Sequence, residues 1–428
     1  MRKYNKFLLY SSLGYEEIPV IHSLEIQNFM SVRDCQLIDL GVGSAVSDFP
    51  ERYAETWTGS GQRVPKVVAF FGANAAGKST VLRALQYLSW FVKDSFQFGA
   101  GNSLPFEPFW DNSSEGMPVR LAVEFAGPEK FFPGTQPGIS FMSDARCRYM
   151  YELNLQLVDG RRTVLREGLY FWPSRAKRRV RLFERNATGD VDAAKEFALG
   201  SHRAVLKKIL RDNASVIATL AQLDHLPSLA LREAAGKFSS NIFLEKLAVN
   251  ETAMLQYYQA NPTMLASVNN DLASIDLGIR SMSIVQGSNG PVATFRHEGL
   301  SRDVPLMLES HGTRQFLQIY PYLAHVLQFG GIAVIDELDL AIHPRVLPEI
   351  LRWFYSKERN PHGAQLWMTC QNASLLENLT KEEIYFCEKD STGGTSIYSL
   401  KDIQGVRRVD NFYRKYMGGT YGAVPTIG

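Results

Sequence analysis

Val67-Val68-Ala69-Phe70-Phe71-Gly72-Ala73-Asn74-Ala75-Ala76-Gly77-Lys78-Ser79-Thr80 is the stretch that decides the fold. It contains G-x-x-x-x-G-K-S, the pattern of a phosphate-binding loop, or P-loop. Its glycines let the backbone curl so that successive N–H groups face a phosphate chain. Lys78 supplies a point charge for β- and γ-phosphates, and the Ser79 hydroxyl can bind Mg²⁺. The flanks fit this reading. Val67–Phe71 is a continuous apolar run between Pro65 and Gly72, as expected for a buried parallel strand. From Lys78 onward, Val81, Leu82, Leu85, Leu88 and Val92 recur at helical spacing, which puts the phosphates at a helix N-terminus. The pattern implies a nucleoside triphosphate held by Gly72, Ala73, Asn74, Ala75, Ala76, Gly77, Lys78, Ser79 and Thr80.

Composition narrows the classes. The 428 residues are 45% hydrophobic and 21% charged, which is ordinary for a globular protein. A net charge of +2 is too small to imply a nucleic-acid or membrane partner by itself. Cys35, Cys147, Cys370 and Cys387 are scattered with no C-x-x-C pair, so a reducing compartment without structural zinc is expected. Phe7-Leu8-Leu9-Tyr10 is too short for a signal core. No apolar run approaches the roughly 18 residues of a membrane span. The sequence predicts a cytoplasmic protein.

Alternation predicts strands at 22–29 and 36–40 before the P-loop, then at 119–125, 148–158 and 163–172, with Asp159-Gly160 as a hairpin turn. An antiparallel sheet is therefore expected after the P-loop helix. The basic run Arg175-Ala176-Lys177-Arg178-Arg179-Val180-Arg181 reads as a solvated strand or hairpin tip, with contact to a polyanion as the second reading. Residues 190–275 turn helical, with helices expected at 193–210, 215–222, 226–247, 253–259 and 262–272 and no sustained heptad. This is a compact helical insert, not a long coiled coil. Strand character returns at 279–285 and 292–297.

Gly330-Gly331-Ile332-Ala333-Val334-Ile335-Asp336-Glu337 is an apolar strand ending in two acids, the Walker B pattern. Asp336 would bind Mg²⁺, and Glu337 would be the general base that orients and deprotonates attacking water. About 260 residues lie between Lys78 and Asp336, which fits a P-loop ATPase carrying a large insertion. Leu308-Glu309-Ser310-His311-Gly312-Thr313-Arg314-Gln315 precedes a helix, expected at 315–327, that leads into this strand.

S-x-G-T, then a helix, then the D-E strand, resembles the signature motif of ABC-type ATPases, and more narrowly their soluble SMC-like and OLD-like branch. Ile26, Asn28, Phe29, Ser31 and Val32 look like that branch's first strand. Asp336-Glu337-Leu338-Asp339-Leu340-Ala341-Ile342-His343-Pro344 is similar to its D-E-x-D-x-x-x-H-P run. Residues 383–390 and 421–425 look like the end of the AAA-family ATPase subunits of bacterial anti-phage modules, of the AbiL/RloA type and the PARIS AriA type.

The resemblance implies an α/β fold: a P-loop ABC-ATPase head with a mixed sheet, an antiparallel β-subdomain and the helical insert. Residues 1–189 would form the N-terminal lobe, 190–275 the insert or lid, and 276–428 the C-terminal lobe. It implies two subunits that sandwich two ATP molecules with Mg²⁺. Ser310, Gly312 and Thr313 of one subunit would contact the γ-phosphate held by the other, and Asp339 would lie in the loop that crosses the interface. Where the family has a switch histidine, this chain has Gln371, in Met368-Thr369-Cys370-Gln371-Asn372-Ala373-Ser374. Glutamine can hydrogen-bond a phosphate oxygen but carries neither proton nor charge, so slow hydrolysis is expected. Gln97 is the candidate for a Q-loop glutamine.

The function so implied is an ATPase, catalytic through Glu337, Lys78 and Gln371, that assembles around ATP and controls a toxic effector in abortive infection. The effector, a nuclease or Toprim-type toxin, would come from a neighbouring gene, and a phage product would be the trigger. A DNA-processing ATPase of the repair or recombination type is the alternative, with Arg175–Arg181 and Arg407, Arg408, Arg414 and Lys415 lining a duplex groove. A transporter subunit is a third reading, opposed by the strand-rich insertion and the family-like tail.

Overall fold

The computed structural model describes residues 20–425 apart from 112–113, 115, 134–139, 143–144, 175–177, 243–250, 276–277, 289 and 341. The chain forms two compact units, each assembled from separate stretches. One comprises Met1–Ser47, Ala54–Val64 and Tyr87–Lys237; the other comprises Asp48–Tyr53, Pro65–Gln86 and Phe238–Gly428.

The first unit is built on a seven-stranded antiparallel sheet. Its order is Val191–Ala193, Val180–Arg185, Arg161–Trp172, Arg146–Val158, Val119–Pro128, Ile21–Gln27 and Gln36–Asp39. The hairpin at Asp159-Gly160 has φ of 49° and 75°, positive at both central residues as a type I′ turn requires. Across one face, Glu25, Arg120, Glu152, Arg166, Glu184, Arg181 and Asp192 pair in series from strand to strand. Residues 175–177 of the basic run lie outside the described residues. Of the rest, Arg181 belongs to this ladder, and Arg179 stacks on Tyr170 at 4.3 Å and reaches the Met150 sulfur at 3.4 Å. These two arginines serve the sheet itself.

Asn28 shows why the opening motif has the form it does. It sits at φ 51°, its Oδ1 accepts from Phe109 N–H at 3.1 Å and its Nδ2 donates to Met117 O at 2.8 Å. Asparagine tolerates this left-handed backbone, and its amide satisfies both polar groups of an irregular connection. Behind the sheet, Glu167 is fully buried and accepts from Tyr151 Oη (2.8 Å), Ser215 Oγ (2.7 Å) and Val216 N–H (2.9 Å). Burial pushes its carboxyl up, against the nearby Arg185 guanidinium at 3.7 Å. Arg185 in turn donates to Ala214 O and Arg211 O, so one buried pair fixes the helical segment against the sheet.

Two buried histidines of this unit resist protonation. Burial lowers His22 to about 4, helped by Arg148, and lowers His225 to about 4. The His225 ring lies between Ser228 Oγ at 2.8 Å and Phe197 O at 2.7 Å. Between pH 6.5 and about 4 the unfolded chain binds protons on these rings that the folded chain refuses, so stability falls as the pH drops through that window. The loss is at most about 1.4 kcal/mol per ring per pH unit. Melting temperatures taken from pH 7.5 to 4.5 should decline, and His225→Asn should flatten the decline. A flat wild-type profile would refute this assignment.

The second unit carries a six-stranded sheet in the order Phe238–Ser240, Ile332–Ile335, Gln365–Thr369, Val67–Phe71, Ile384–Lys389 and Thr395–Ser399. The first five strands are parallel neighbours, and the last pairs antiparallel. Val67–Phe71 and Ile332–Ile335 are buried on both faces, hence their unbroken apolar sequences. Glu251–Ala260, Pro262–Ile275 and His311–Phe329 pack nearby: Tyr258 Oη donates to Leu317 O at 2.9 Å and Tyr320 Oη to Asp271 Oδ2 at 2.7 Å. A three-stranded sheet, Ile279–Gly287, Gly290–His297 and Val304–Pro305, completes the unit.

The stretch 190–275 differs from a single helical insert. It contains helices, but residues up to Lys237 belong to the first unit and those from Phe238 to the second. The helix expected at 226–247 ends at Gly236, where Phe238–Ser240 becomes an edge strand paired with Ile332–Val334. The helix expected from 193 begins only at His202, after the strand Val191–Ala193. At Phe238–Ser240 sheet pairing overrides local helical propensity, and before His202 a single 3-10 turn, Lys195–Phe197, is closed by Ala198 at φ 56°. Among the described residues no helix is long and apolar enough to cross a membrane.

Candidate functional site

The P-loop curls between the buried strand Val67–Phe71 and the helix Lys78–Asp94. Three of its residues have positive φ: Gly72 at 148°, Ala75 at 63° and Gly77 at 96°. Gly72 has no alternative, since a Cβ there would lie 2.2 Å from the carbonyl oxygen of Cys387 in the neighbouring strand. Lys78 is buried, and its Nζ donates to Gly72 O and Ala73 O, each at 2.9 Å. The loop is held from outside by Thr395, whose Oγ1 donates to Ala76 O at 3.0 Å.

The strand between the P-loop strand and the Walker B strand brings the two motifs together. Ser79 Oγ donates to Asp336 Oδ1 at 2.9 Å, and Thr369 Oγ1 donates to the same oxygen at 2.6 Å. Thr369 Oγ1 also accepts from Glu337 N–H at 2.7 Å. Glu337 lies in the turn after the strand Ile332–Ile335 with φ 53°, a left-handed conformation uncommon for a residue with a side chain. Its Oε1 accepts from Gln371 Nε2 at 3.3 Å. Asp339 Oδ2 accepts from the N–H groups of Gln371 (2.9 Å) and Asn372 (2.6 Å), so this carboxylate braces the turn that presents Gln371. Ser79, Asp336, Glu337, Asp339, Thr369 and Gln371 thus form one connected network.

Ser310 caps the helix His311–Phe329: its Oγ accepts from Thr313 N–H at 3.0 Å and lies 2.8 Å from Thr313 Oγ1. Just before it, the buried Glu309 carboxylate meets His297 Nε2 at 2.6 Å. Gly312 lies in the first turn of this helix. Ser310 and Thr313 therefore close the helix end upon each other, as the two members of an N-cap pair.

Two residues of the site were not read from the sequence. Thr369 is one. The other is Asn241, whose Nδ2 donates to Asp336 O at 2.9 Å while its Oδ1 accepts from Asp336 N–H at 2.8 Å. Ser240 pairs with Val334, so the Asn241 side chain continues the ladder for one more rung after the edge strand has ended. Asn269 and Asn360 make the same two-way clasp on Met282 and Ala364. Gln97 stands instead in the turn after the P-loop helix, with its N–H on Asp94 O. Asn241→Ala should lower ATP turnover about tenfold, since the two lost bonds hold Asp336 in register, while ATP affinity changes by less than about threefold. Steady-state kinetics beside a nucleotide titration measures both, and unchanged turnover would refute the role.

The sequence profile of one family matches residues 67–377, well over half of the chain; its description reads "AAA domain, putative AbiEii toxin, Type IV TA system". The chain belongs to this AAA-domain family. Its match begins at the P-loop strand and ends just past Gln371, and so includes every residue of the network above. An ATPase of the AAA type follows from the family and the motifs together. A comparison with curated proteins finds no match. Among solved structures the chain is similar to the SMC head domain from Thermotoga maritima, at 14% identity over 89% of this chain and 98% of that one, with a TM-score of 0.39. It is also similar to an Smc head bound to the C-winged helix domain of ScpA (12%, 89% and 97%, TM-score 0.46). A third is an Smc head domain with an extended coiled coil, bound to the C-terminal domain of ScpA, derived from Pyrococcus furiosus (13%, 89% and 96%, TM-score 0.43). The P-loop fold stands on strand order and loop geometry, without support from these likenesses.

Proposed function

We propose that this AAA-family protein is a slowly hydrolysing ABC-type ATPase, that two copies close around two ATP molecules, and that closure governs a toxic effector in anti-phage abortive infection. The observation that carries the nucleotide reading is the meeting of Ser79 Oγ and Asp336 Oδ1 at 2.9 Å beside the P-loop. That pair of hard oxygens suits Mg²⁺, which would neutralise charge on the β- and γ-phosphates. The N–H groups of residues 72–80 and the Lys78 ammonium would bind the triphosphate. Glu337 would orient and deprotonate water, with Gln371 holding its carboxylate. Asp339 would act by bracing Gln371. Ser310, Gly312 and Thr313, at the positive end of a helix dipole, would contact the γ-phosphate of the partner copy.

The defence role draws on the family's description, which places AbiEii-type toxin systems in it, and on the resemblance of residues 383–390 and 421–425 to anti-phage ATPase subunits. The protein would act in the cytoplasm beside a nuclease or Toprim-type effector. DNA processing gains less support. Arg408 is ion-paired with Glu382 and Lys415 with Asp410, as Arg181 is with Asp192, leaving fewer free cations for a duplex.

The test is ATP turnover with light scattering, with and without duplex DNA. Slow turnover and ATP-driven assembly support the proposal; turnover that rises steeply with DNA, without assembly, overturns it. Gln371→His should raise turnover severalfold by supplying a titratable donor. A slower or unchanged variant would show that the neutral side chain is not what limits the rate.

A further inference from the structure

The P-loop is bolted to a segment more than 340 residues away in sequence: Ala73 N–H donates to Ala423 O at 3.1 Å. We propose that residues 416–424 are a positioning element of the nucleotide site, and that their docking sets the affinity for ATP. This rests on the nucleotide reading above and adds a control to it.

The segment is built to present that one carbonyl. Tyr416 Oη donates to Ala423 O at 3.1 Å, so the oxygen accepts from the P-loop and from a tyrosine together. Tyr398 Oη donates to Tyr421 O at 2.7 Å, which fixes the peptide two residues earlier. Tyr416 and Tyr421 lie on the ring of Phe386, at centroid distances of 5.2 and 6.0 Å, and Phe386 belongs to the strand beside the P-loop strand. Tyr421 and Ala423 are buried, and Ala423 is held at φ 56°. A non-glycine residue keeps that conformation only where its surroundings determine it.

Three contacts then define the back of the P-loop. Gly72 lies against Cys387 O, Ala73 hangs on Ala423 O, and Ala76 O is held by Thr395. Two of the three partners sit on regular strands. The third, Ala423, sits on an irregular segment whose docking depends on a few aromatic contacts and two phenol hydroxyls. Ala73 O also accepts from Lys78 Nζ at 2.9 Å, so freedom at this peptide would be passed to the phosphate-binding lysine. Undocking therefore loosens the loop's first bend while the sheet stays intact. Linkage makes the effect reciprocal: whatever favours the docked segment favours ATP, and ATP favours docking.

Gly422 offers the lever. It has φ 73°, and a Cβ there would lie 2.7 Å from Tyr398 Oη and 3.0 Å from Glu388 Oε2. Gly422→Val should expel the segment without touching the P-loop and weaken ATP binding about tenfold, the order expected for one lost backbone hydrogen bond plus added loop freedom. The Tyr398→Phe/Tyr416→Phe double variant, which removes both hydroxyls and leaves the backbone alone, should weaken it about fivefold. Val409→Ser, at an exposed residue outside this segment, should bind as wild type. The measurements are titration with a fluorescent ATP analogue and amide hydrogen exchange over residues 412–425. Saturating ATP should slow exchange there in the wild type.

Fast exchange over that segment in Gly422→Val together with wild-type ATP affinity would overturn the proposal. If Gly422→Val fails to fold, the double-tyrosine variant decides in the same way. A wild-type protein that binds no ATP overturns the nucleotide reading itself, whereas wild-type binding with indifferent variants removes only this inference.

Discussion

Glu337→Gln is expected to cut multiple-turnover ATP hydrolysis by a hundredfold or more while leaving ATP affinity within about twofold. The residue sits in the turn after the Walker B strand in a left-handed conformation, with its N–H on Thr369 Oγ1 at 2.7 Å and its carboxylate receiving Gln371 Nε2 at 3.3 Å. The amide has the same shape and keeps an acceptor oxygen for Gln371, so the network around Asp336 should persist. It cannot take a proton from water, and positioned general bases contribute factors of 10²–10⁴. In the proposed site, binding falls to other groups, chiefly the P-loop N–H groups and Lys78. The variant should therefore accumulate with ATP bound, and light scattering should show the proposed ATP-driven assembly outlasting that of the wild type. Retained turnover would mean that another group takes the proton, and the role given to Glu337 would fall.

How much of this was legible beforehand depends on what each residue bonds to. Gly72, Lys78 and Ser79 act through a contiguous loop, so their spacing alone carries the chemistry. Asp336 and Glu337 directly follow an unbroken apolar strand, which is the same kind of local signal. Asn241 was invisible because it bonds the backbone of Asp336, 95 residues away, and a backbone partner leaves no mark on the side chains of either stretch. Its strand, Phe238–Ser240, is three residues long and follows a helix. No period can be read from three residues, so the helical composition around them prevailed. Asp339 was legible as a residue of interest only through resemblance, and its bonds to the N–H groups of Gln371 and Asn372 give it a bracing task that the motif does not state. The basic run reads first as a solvated strand or hairpin tip and second as a polyanion contact; composition leaves both open, and among its described residues Arg179 and Arg181 have partners on adjacent strands.

Gly72→Ala should be the most damaging single methyl group in the second unit. Two costs add. The first is conformational, because φ at 148° lies where side chains rarely go. The second is steric, because the new Cβ would stand 2.2 Å from the Cys387 carbonyl oxygen and 3.5 Å from the Ala76 Cβ. Cys387 cannot retreat: its strand pairs in parallel with Val67–Phe71 on one side and antiparallel with Thr395–Ser399 on the other. Relief must come from the P-loop, which would lift away from the sheet and take Lys78 with it. A penalty of roughly 3 kcal/mol or more is expected from strain and overpacking together. The melting temperature should drop by several degrees and ATP affinity by a hundredfold or more. Gly363→Ala separates the two costs, since Gly363 also has a positive φ, 69°, but open space where its Cβ would go. That variant should lose only about 1 kcal/mol, the cost of a left-handed alanine, and should bind ATP normally. If Gly72→Ala binds ATP as tightly as the wild type, the close approach of the P-loop to the strand Ile384–Lys389 is not what shapes the site. Equal losses in the two variants would assign the damage to backbone conformation and remove the steric term.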